Sequence, residues 1–182
     1  MTPITWKIDA SHTTVEFSAK HMMITTVKGR FSDVEGSVLA AGDTPDGATV
    51  DIVMKAASID TRTEQRDAHL RSPDFLDAET FPDITFRSTG ITGSKDAFKL
   101  AGNLTIRGIT RPVTLDVTYE GGGMDPWGGE RKGFSASGKI DRREFGLVWN
   151  QALEAGGLLV GNDIKLQIDA QLVKQAQAVQ AA

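Results

Sequence analysis

Apolar and polar residues alternate one by one through most of this chain. Between Phe98 and Ile106 every even-numbered residue is apolar or glycine, whereas Lys99, Asn103 and Thr105 occupy odd positions. Because successive side chains of a β-strand point to opposite faces, such segments predict antiparallel strands with one apolar face. About eight or nine segments of this kind follow one another. With little helix to cover the apolar face, the sheet buries it most simply by closing, so we predict an all-β fold, an antiparallel eight-stranded barrel.

One segment, residues 63–71, has the features of a helix. Thr61 followed by Glu64 fits a capping box, and Pro73 ends the helix because the residue before a proline disfavours the helical conformation. A second short helix is predicted near residues 150–155. We expect one or both of these helices to lie near the mouth of the barrel.

The composition is that of an ordinary globular protein, with 40% hydrophobic and 24% charged residues. A chain of 182 residues suits a single domain, which we place at residues 1–174, followed by a Gln/Ala-rich tail at 175–182. The formal net charge of −4 argues against nucleic-acid binding, which needs a basic face. Cysteine is absent, which excludes disulfides, thiolate nucleophiles and sulfur-ligated metals.

The N-terminal residues show no basic segment followed by an apolar run, so no secretory leader is visible and a cytoplasmic location is expected. The location is periplasmic or secreted instead if a leader has been removed. No apolar stretch approaches the length of a membrane-spanning helix, so we expect no membrane span.

The inward-facing positions decide whether the barrel is hollow, because eight strands enclose a lumen that side chains can just fill or that can hold one small ligand. Large inward residues such as Phe17 and Met54 are interspersed with small ones, namely Ala19, Gly36, Gly102, Ala136, Gly138 and Ala170. Either the small residues leave an elongated apolar cavity, or they fit the taper of a filled barrel against large neighbours. The alternation alone leaves both interpretations open.

Few residues offer metal-binding or catalytic chemistry. Zinc could use three histidines, but His12 and His21 lie at opposite ends of one predicted strand, roughly 30 Å apart, so we expect no metal site. No catalytic residues are predicted. The predicted helix carries Arg66 and His69, and if it lies across the mouth these could meet an anionic head group. Alternatively they belong to a solvated helix face.

Several motifs together resemble a known family. They are DASH at residues 9–12, KHMM at 20–23, RDAHLRSPDF at 66–75, GNLTIRGITRPV at 102–113, DRREFG at 141–146 and VGND at 160–163. With a match that runs nearly end to end, from Thr5 to about Leu172, the chain resembles the YceI family of lipocalin-like, polyisoprenoid-binding proteins.

The resemblance implies a lipocalin-like barrel extended by a helical segment, a homodimer, and a long isoprenoid in an apolar pore. It favours the cavity interpretation, with no cofactor besides the bound lipid cargo. The cargo would be a polyprenyl phosphate or an isoprenoid quinone, which the protein would transport, store or sense. We expect Arg66 and His69 near the head group, and a wall formed by Phe17, Ala19, Phe31, Ile52, Met54, Phe86, Leu100, Gly102, Leu115, Phe134, Ala136, Leu166 and Ile168.

Two other functions are compatible with the sequence. One is an enzyme in which His69 and a neighbouring carboxylate act on a lipid-like substrate at the mouth, although the sequence offers no nucleophile. The other is a structural or interaction protein with a filled barrel. Lipid bound to the purified protein would distinguish the carrier from this last alternative.

Overall fold

The computed structural model describes residues 3–176, and in this range the chain forms eleven strand segments and one α-helix. The predicted tail at 175–182 therefore lies largely outside the described residues. The strands are β1 (Ile4–Ile8), β2 (Thr14–His21), β3 (Thr25–Phe31), β4 (Val34–Ala40), β5 (Thr49–Lys55), β6 (Ile59–Asp60), β7 (Asp83–Gly93), β8 (Ala97–Ile106), β9 (Ile109–Met124), β10 (Glu130–Asp141) and β11 (Asp163–Lys174). The helix α1 spans Glu64–Arg71, and short 3-10 turns span Ala10–His12, Ala56–Ser58 and Arg142–Phe145.

The sheet closes on itself. Strands β1, β4, β5, β7, β8, β9, β10 and β11 are neighbours in this order, and β11 pairs with β1 to complete the ring. All these pairings are antiparallel. Beyond the turn Ala10–His12, β2 also pairs with β11, and β3 and β6 extend the sheet from there. The predicted eight-stranded antiparallel barrel is confirmed, with β1–β2, β3–β4 and β5–β6 each acting as one bent strand.

The alternation in the sequence separates the inside of the barrel from the outside. In β8, Leu100 and Leu104 are buried, whereas Lys99 and Asn103 are exposed. Leu100 is paired with Leu115 of β9, and paired residues of adjacent strands point to the same face. Inward side chains from successive strands therefore surround one lumen.

One end of the barrel is closed by a buried apolar cluster. Helix α1, the connection at residues 72–82 and the turn Arg142–Phe145 contribute to this end, and Phe145 is completely buried. The cluster consists of Ala56, Ile59, Phe75, Leu76, Ala78, Ile84, Leu104, Ile106, Ile140, Phe145 and Leu147. Burial of one large apolar side chain contributes about 1.5–3 kcal/mol, so this end is a stable packed core.

A buried arginine fixes the connection at residues 146–162. The guanidinium of Arg142 donates hydrogen bonds to the carbonyl oxygens of Leu147 (2.6 Å), Trp149 (2.9 Å) and Gly161 (3.0 Å). Arg142 is only 3% exposed, and burial lowers the pKa of its guanidinium. Buried donors need acceptors, so the guanidinium holds these three carbonyl groups together and fixes the course of the connection.

The start of α1 differs from the predicted capping box. The N-cap residue is Thr63, whose side chain makes no capping hydrogen bond. Thr61 is buried instead, and its backbone N–H and its hydroxyl both donate to Oδ1 of Asp67, at 2.9 and 2.5 Å. The capping box was wrong because Asp67, and not Glu64, reaches back to Thr61.

The second helix, predicted near residues 150–155, does not form. Nδ2 of Asn150 donates to the carbonyl oxygen of Val160 at 2.7 Å, and Oδ1 of Asn150 accepts from the N–H of Val160 at 3.0 Å. Ala152 and Leu158 then pair through an isolated β-bridge. The side chain of Asn150 competes with helical hydrogen bonding, so the segment folds back on itself.

Candidate functional site

The barrel encloses a cavity of about 530 Å³. Small-molecule pockets have volumes of about 300–1,000 Å³, so the space suits a ligand. Every predicted wall residue except Gly102 lines this cavity: Phe17, Ala19, Phe31, Ile52, Met54, Phe86, Leu100, Leu115, Phe134, Ala136, Leu166 and Ile168. The interior of the barrel is therefore not filled by its own side chains.

Side-chain burial changes along the barrel axis. Ile52, Phe86 and Leu166 point inward yet are only partly buried, whereas Ile84 and Leu104 near the closed end are buried. In a close-packed interior, inward side chains are inaccessible. The accessible ones therefore face empty space in the middle of the lumen.

The inward glycines do not create this space. A Cβ atom on Gly102 would lie 2.3 Å from Cζ of Phe86, so the ring of Phe86 lies directly against that glycine. Gly36 is covered in the same way, with Cδ1 of Ile52 at 2.5 Å from the position of a Cβ atom. Gly102, predicted as a wall residue, does not line the cavity because the ring of Phe86 separates it from the lumen. The inward alanines do line the cavity: Ala19, Ala136 and Ala170.

The cavity is open at the end of the barrel opposite α1. Among its lining residues at that end, Asp43 and Thr44 of the β4–β5 connection and Lys95 of the β7–β8 connection are exposed. At the other end the lining includes Leu76 and Leu147, which belong to the buried cluster. The mouth is thus formed by strand connections, whereas α1 lies at the floor because it packs on the closed end.

Neither predicted head-group residue lines the cavity. The guanidinium of Arg66 donates to the hydroxyl and the carbonyl oxygen of Thr61, at 2.7 and 2.8 Å. Nε2 of His69 lies 2.8 Å from Oδ2 of Asp74, and the His69 ring packs edge-on against the ring of Trp149. Both side chains fasten α1 to the floor of the barrel, and this position gives no support to a head-group role.

The sequence prediction missed a cation at the mouth. Lys132 lines the cavity, and its Nζ atom lies 4.7 Å from the centroid of the Trp6 ring. The sequence does contain an indication that Lys132 points inward, because it has the same parity as the inward residues Phe134 and Ala136 of β10. A charged side chain interrupts the apolar pattern, however, so the pattern alone does not mark this position as inward.

A polar network braces the barrel near the mouth. Asp9 accepts hydrogen bonds from Ser11, His12 and Arg131, and Arg131 also donates to Asp125 at 2.6 Å. The hydrogen bonds of Ser11, His12 and Arg131, in this order of effect, hold the pKa of the Asp9 carboxyl well below its ordinary value. Arg131 likewise lowers the pKa of Asp125. The network ties the end of β1 to β10 and to the β9–β10 connection.

Metal-binding geometry is not found in the described part of the chain. Within it, no three His, Cys, Asp or Glu side chains are placed to hold an ion together. His12 pairs with Asp9 and His69 with Asp74, in two separate places. No helix between residues 3 and 176 has the length and apolar character needed to cross a bilayer.

Comparison with known proteins agrees with this architecture. The family model described as YceI-like domain matches residues 6–172. A UPF0312 protein of Yersinia enterocolitica is 40% identical over 145 residues, covering 79% of this chain and 76% of the relative. The Campylobacter jejuni YceI crystal structure has a TM-score of 0.74 at 30% identity, covering 86% of this chain and 90% of that one. A polyisoprenoid-binding domain from Saccharophagus degradans has a TM-score of 0.67 at 12% identity, covering 93% and 98%.

The family match, from residue 6 to residue 172, extends over the barrel, the helix and the connections that close the floor. It covers the RDAHLRSPDF and DRREFG motifs, which lie at α1 and at the turn Arg142–Phe145. The resemblance in the sequence is therefore confirmed, and the chain belongs to the YceI-like domain family.

Proposed function

We propose that this protein is a non-enzymatic carrier that binds one long apolar lipid of the isoprenoid type in the lumen of its barrel. The observation that carries the proposal is the cavity itself, which is walled by apolar side chains, closed at the floor and open at one end. Such a site binds by removing hydrocarbon surface from water, at about 25 cal/mol per Å².

The shape of the cavity favours a slender ligand. A strand of ten residues such as β8 is about 33 Å long, which at the usual tilt corresponds to about 25 Å along the barrel axis. The lining extends from Lys95 at the mouth to Leu147 at the floor. With so few polar groups along this path, the lumen would select the hydrocarbon part of the ligand by its length and girth.

The isoprenoid class is supported by a relative and by the wall. The Saccharophagus degradans domain with the same fold is described as polyisoprenoid-binding. The wall offers partly buried aromatic rings, such as Phe17 and Phe31, whose centroids are 5.6 Å apart, beside small alanines. Methyl-branched chains fit such an uneven apolar surface.

A carrier role agrees with the side chains that face the cavity. None of His12, His21 and His69 lines it within the described residues. The histidine and carboxylate expected for the enzyme alternative do meet, as His69 and Asp74, but they lie at the floor and outside the cavity. Along most of the lumen the ligand would therefore meet hydrocarbon, and the predicted histidine–carboxylate pair lies outside the cavity.

Native mass spectrometry of the freshly purified protein tests the proposal. We expect extra mass on the folded protein that is removed by organic extraction and restored by incubation with an isoprenoid lipid. The same spectra would report whether two copies associate, as expected for a homodimer. Protein that carries no extra mass and that takes up no lipid after extraction would contradict the proposal.

A further inference from the structure

The apolar wall of the lumen ends at the mouth in a charged side chain that points inward. Lys132 continues the inward parity of β10 and is paired with the inward residue Leu172 of β11. Its side chain is only 17% exposed, although it lies next to the mouth. An ammonium group in this position stands directly above the hydrocarbon part of the lumen.

Trp6 holds this ammonium group in place. The Nζ atom of Lys132 lies 4.7 Å from the centroid of the Trp6 ring, and the Nζ atom of Lys174 lies 5.8 Å from it. Trp6 is 3% exposed and lines the cavity, so its position is fixed by packing. Cation–π attraction over a fixed ring orients the Lys132 side chain toward the lumen.

The two lysines differ in how firmly their charge is paired. Nζ of Lys174 lies 2.7 Å from Oε2 of Glu130, and both side chains are partly buried. Nζ of Lys132 lies 3.4 Å from Oδ1 of Asp43, whose side chain is 88% exposed. An ion pair with such an exposed partner contributes little, so another anion can replace Asp43 at Lys132.

One further donor stands near Lys132, and a second lines the cavity from the β7–β8 connection. A Cβ atom on Gly122 would lie 2.7 Å from the Tyr119 hydroxyl and 3.3 Å from Cγ of Lys132, so both side chains converge over this glycine. Tyr119 and Lys95 also line the cavity, and Lys95 is exposed. Ammonium and phenol groups are hydrogen-bond donors suited to an oxyanion.

We propose that the mouth binds the oxyanion head group of the lipid, with Lys132 as its principal contact and with Tyr119 and Lys95 as supporting donors. This inference rests on the proposed function, because it requires the hydrocarbon chain to lie in the lumen. It assigns the cargo to acidic lipids with a phosphate or carboxylate head, and it disfavours neutral quinones and alcohols.

Three probes with the same C20 isoprenoid chain test this inference: geranylgeranyl monophosphate, geranylgeranoic acid and geranylgeraniol. We expect the extracted protein to bind at least one of the two anions about tenfold or more tightly than the alcohol, the usual size of a charge-assisted hydrogen bond. The preference should decrease as salt is raised, because part of the site is solvated. Whichever of the two anions binds more tightly shows whether the site prefers a phosphate or a carboxylate head group.

Variants at Lys132 identify the group responsible. Lys132→Met should abolish the preference for the anion and leave the affinity for the alcohol unchanged, whereas Lys132→Arg should retain the preference. Lys139→Met is the matched control, because Lys139 lies on the outward face of the same strand. It should behave as the parent protein does.

The outcomes separate this inference from the proposed function. If all three probes bind with equal affinity, the carrier role stands and the oxyanion site is overturned. A preference that survives in Lys132→Met, with the variant folded by circular dichroism, would also overturn it. If none of the probes binds, the proposed function fails and this inference fails with it.

Discussion

The ring of Phe86 lies against Gly102 so closely that a Cβ atom there would be 2.3 Å from Cζ of Phe86 and 2.7 Å from the carbonyl oxygen of Arg87. The backbone oxygen cannot move aside as the end of a flexible side chain can. This glycine is therefore required for the packing of Phe86 on the sheet, and the contact explains why an inward position in the middle of a strand has no side chain.

Gly102→Ala is expected to destabilise the fold by about 1–3 kcal/mol, the usual cost of overpacking. Gly90→Ala is the control, because a Cβ atom on Gly90 would have no atom within 4 Å. The free energy of unfolding in urea should fall for the first variant and stay close to the parent value for the second. Equal values for both variants would show that the contact with Phe86 is easily relieved.

Ala136→Trp is expected to block lipid uptake. Ala136 lines the cavity at mid-barrel, where its strand pairs with Val117 and Ile168, and an indole in this position would occupy the lumen. Ser137→Trp places the same side chain on the exposed outer face and should bind lipid as the parent does. Lipid retained per mole of folded protein measures the effect, and parental retention by Ala136→Trp would contradict the assigned wall.

Affinity should increase with the length of the hydrocarbon chain and then level off. Each buried CH₂ group contributes about 0.8 kcal/mol, which is about a fourfold gain in affinity. Once the chain fills the lumen to its closed floor, additional groups remain in water and add nothing. Dissociation constants for a homologous series of isoprenoid alcohols would show the plateau, whereas a flat series would indicate binding outside the lumen.

His69→Ala is expected to weaken the fold and to leave lipid binding intact. The His69 ring packs edge-on against Phe75 and Trp149, with centroids 5.1 and 4.7 Å away, and each such aromatic contact contributes about 0.5–1.5 kcal/mol. Gln65→Ala, at an exposed position of the same helix, serves as the control. Urea unfolding followed by tryptophan fluorescence measures the loss. A variant with parental stability and altered lipid chemistry would instead favour the enzyme hypothesis.

Acid should destabilise the protein in a defined range of pH. The side chain of Arg143 and then its backbone N–H donate to Asp141, lowering the pKa of this carboxyl from its ordinary value of 3.8 to about 2. The unfolded chain therefore binds the proton more tightly than the folded one, so the contribution is present above about pH 4 and is lost as the pH falls through 2.

Asp141→Asn checks this prediction, because asparagine keeps the oxygen that caps the turn Arg142–Phe145 but cannot ionise. The free energy of unfolding should differ between the parent and the variant more at pH 6 than at pH 2. A difference that is the same at both values would mean that the charge of Asp141 contributes nothing.

Strand parity is a local property, so the sequence alone indicates which side chains point into the barrel. Phe17, Ile52 and Leu166 line the lumen simply because they alternate with polar neighbours along the chain. The role of Gly102 could not be predicted in this way, because it depends on which residue of an adjacent strand lies across it. The number of strands and their antiparallel pairing followed from the same local signal.

The ends of the barrel were harder to predict than its wall. Side chains that reach along or across the chain decide the structure there, as Asn150 does for Val160 and Asp67 does for Thr61. The position of α1 at the floor depends on packing between segments far apart in sequence, which no local pattern contains. Lys132 was missed for a related reason, because charge at an inward position is meaningful only once the location of the mouth is known.

The closed floor determines the direction in which a ligand would enter and leave the barrel. If the lumen holds a lipid as proposed, Phe145 and its neighbours close the base among the described residues, so the guest would enter tail first and leave by the same route. Its polar terminus would then remain at the surface, between the β4–β5 and β7–β8 connections. A protein or bilayer that delivers or receives such a guest would have to approach this open end of the barrel, so loading and unloading would compete for one face of the molecule.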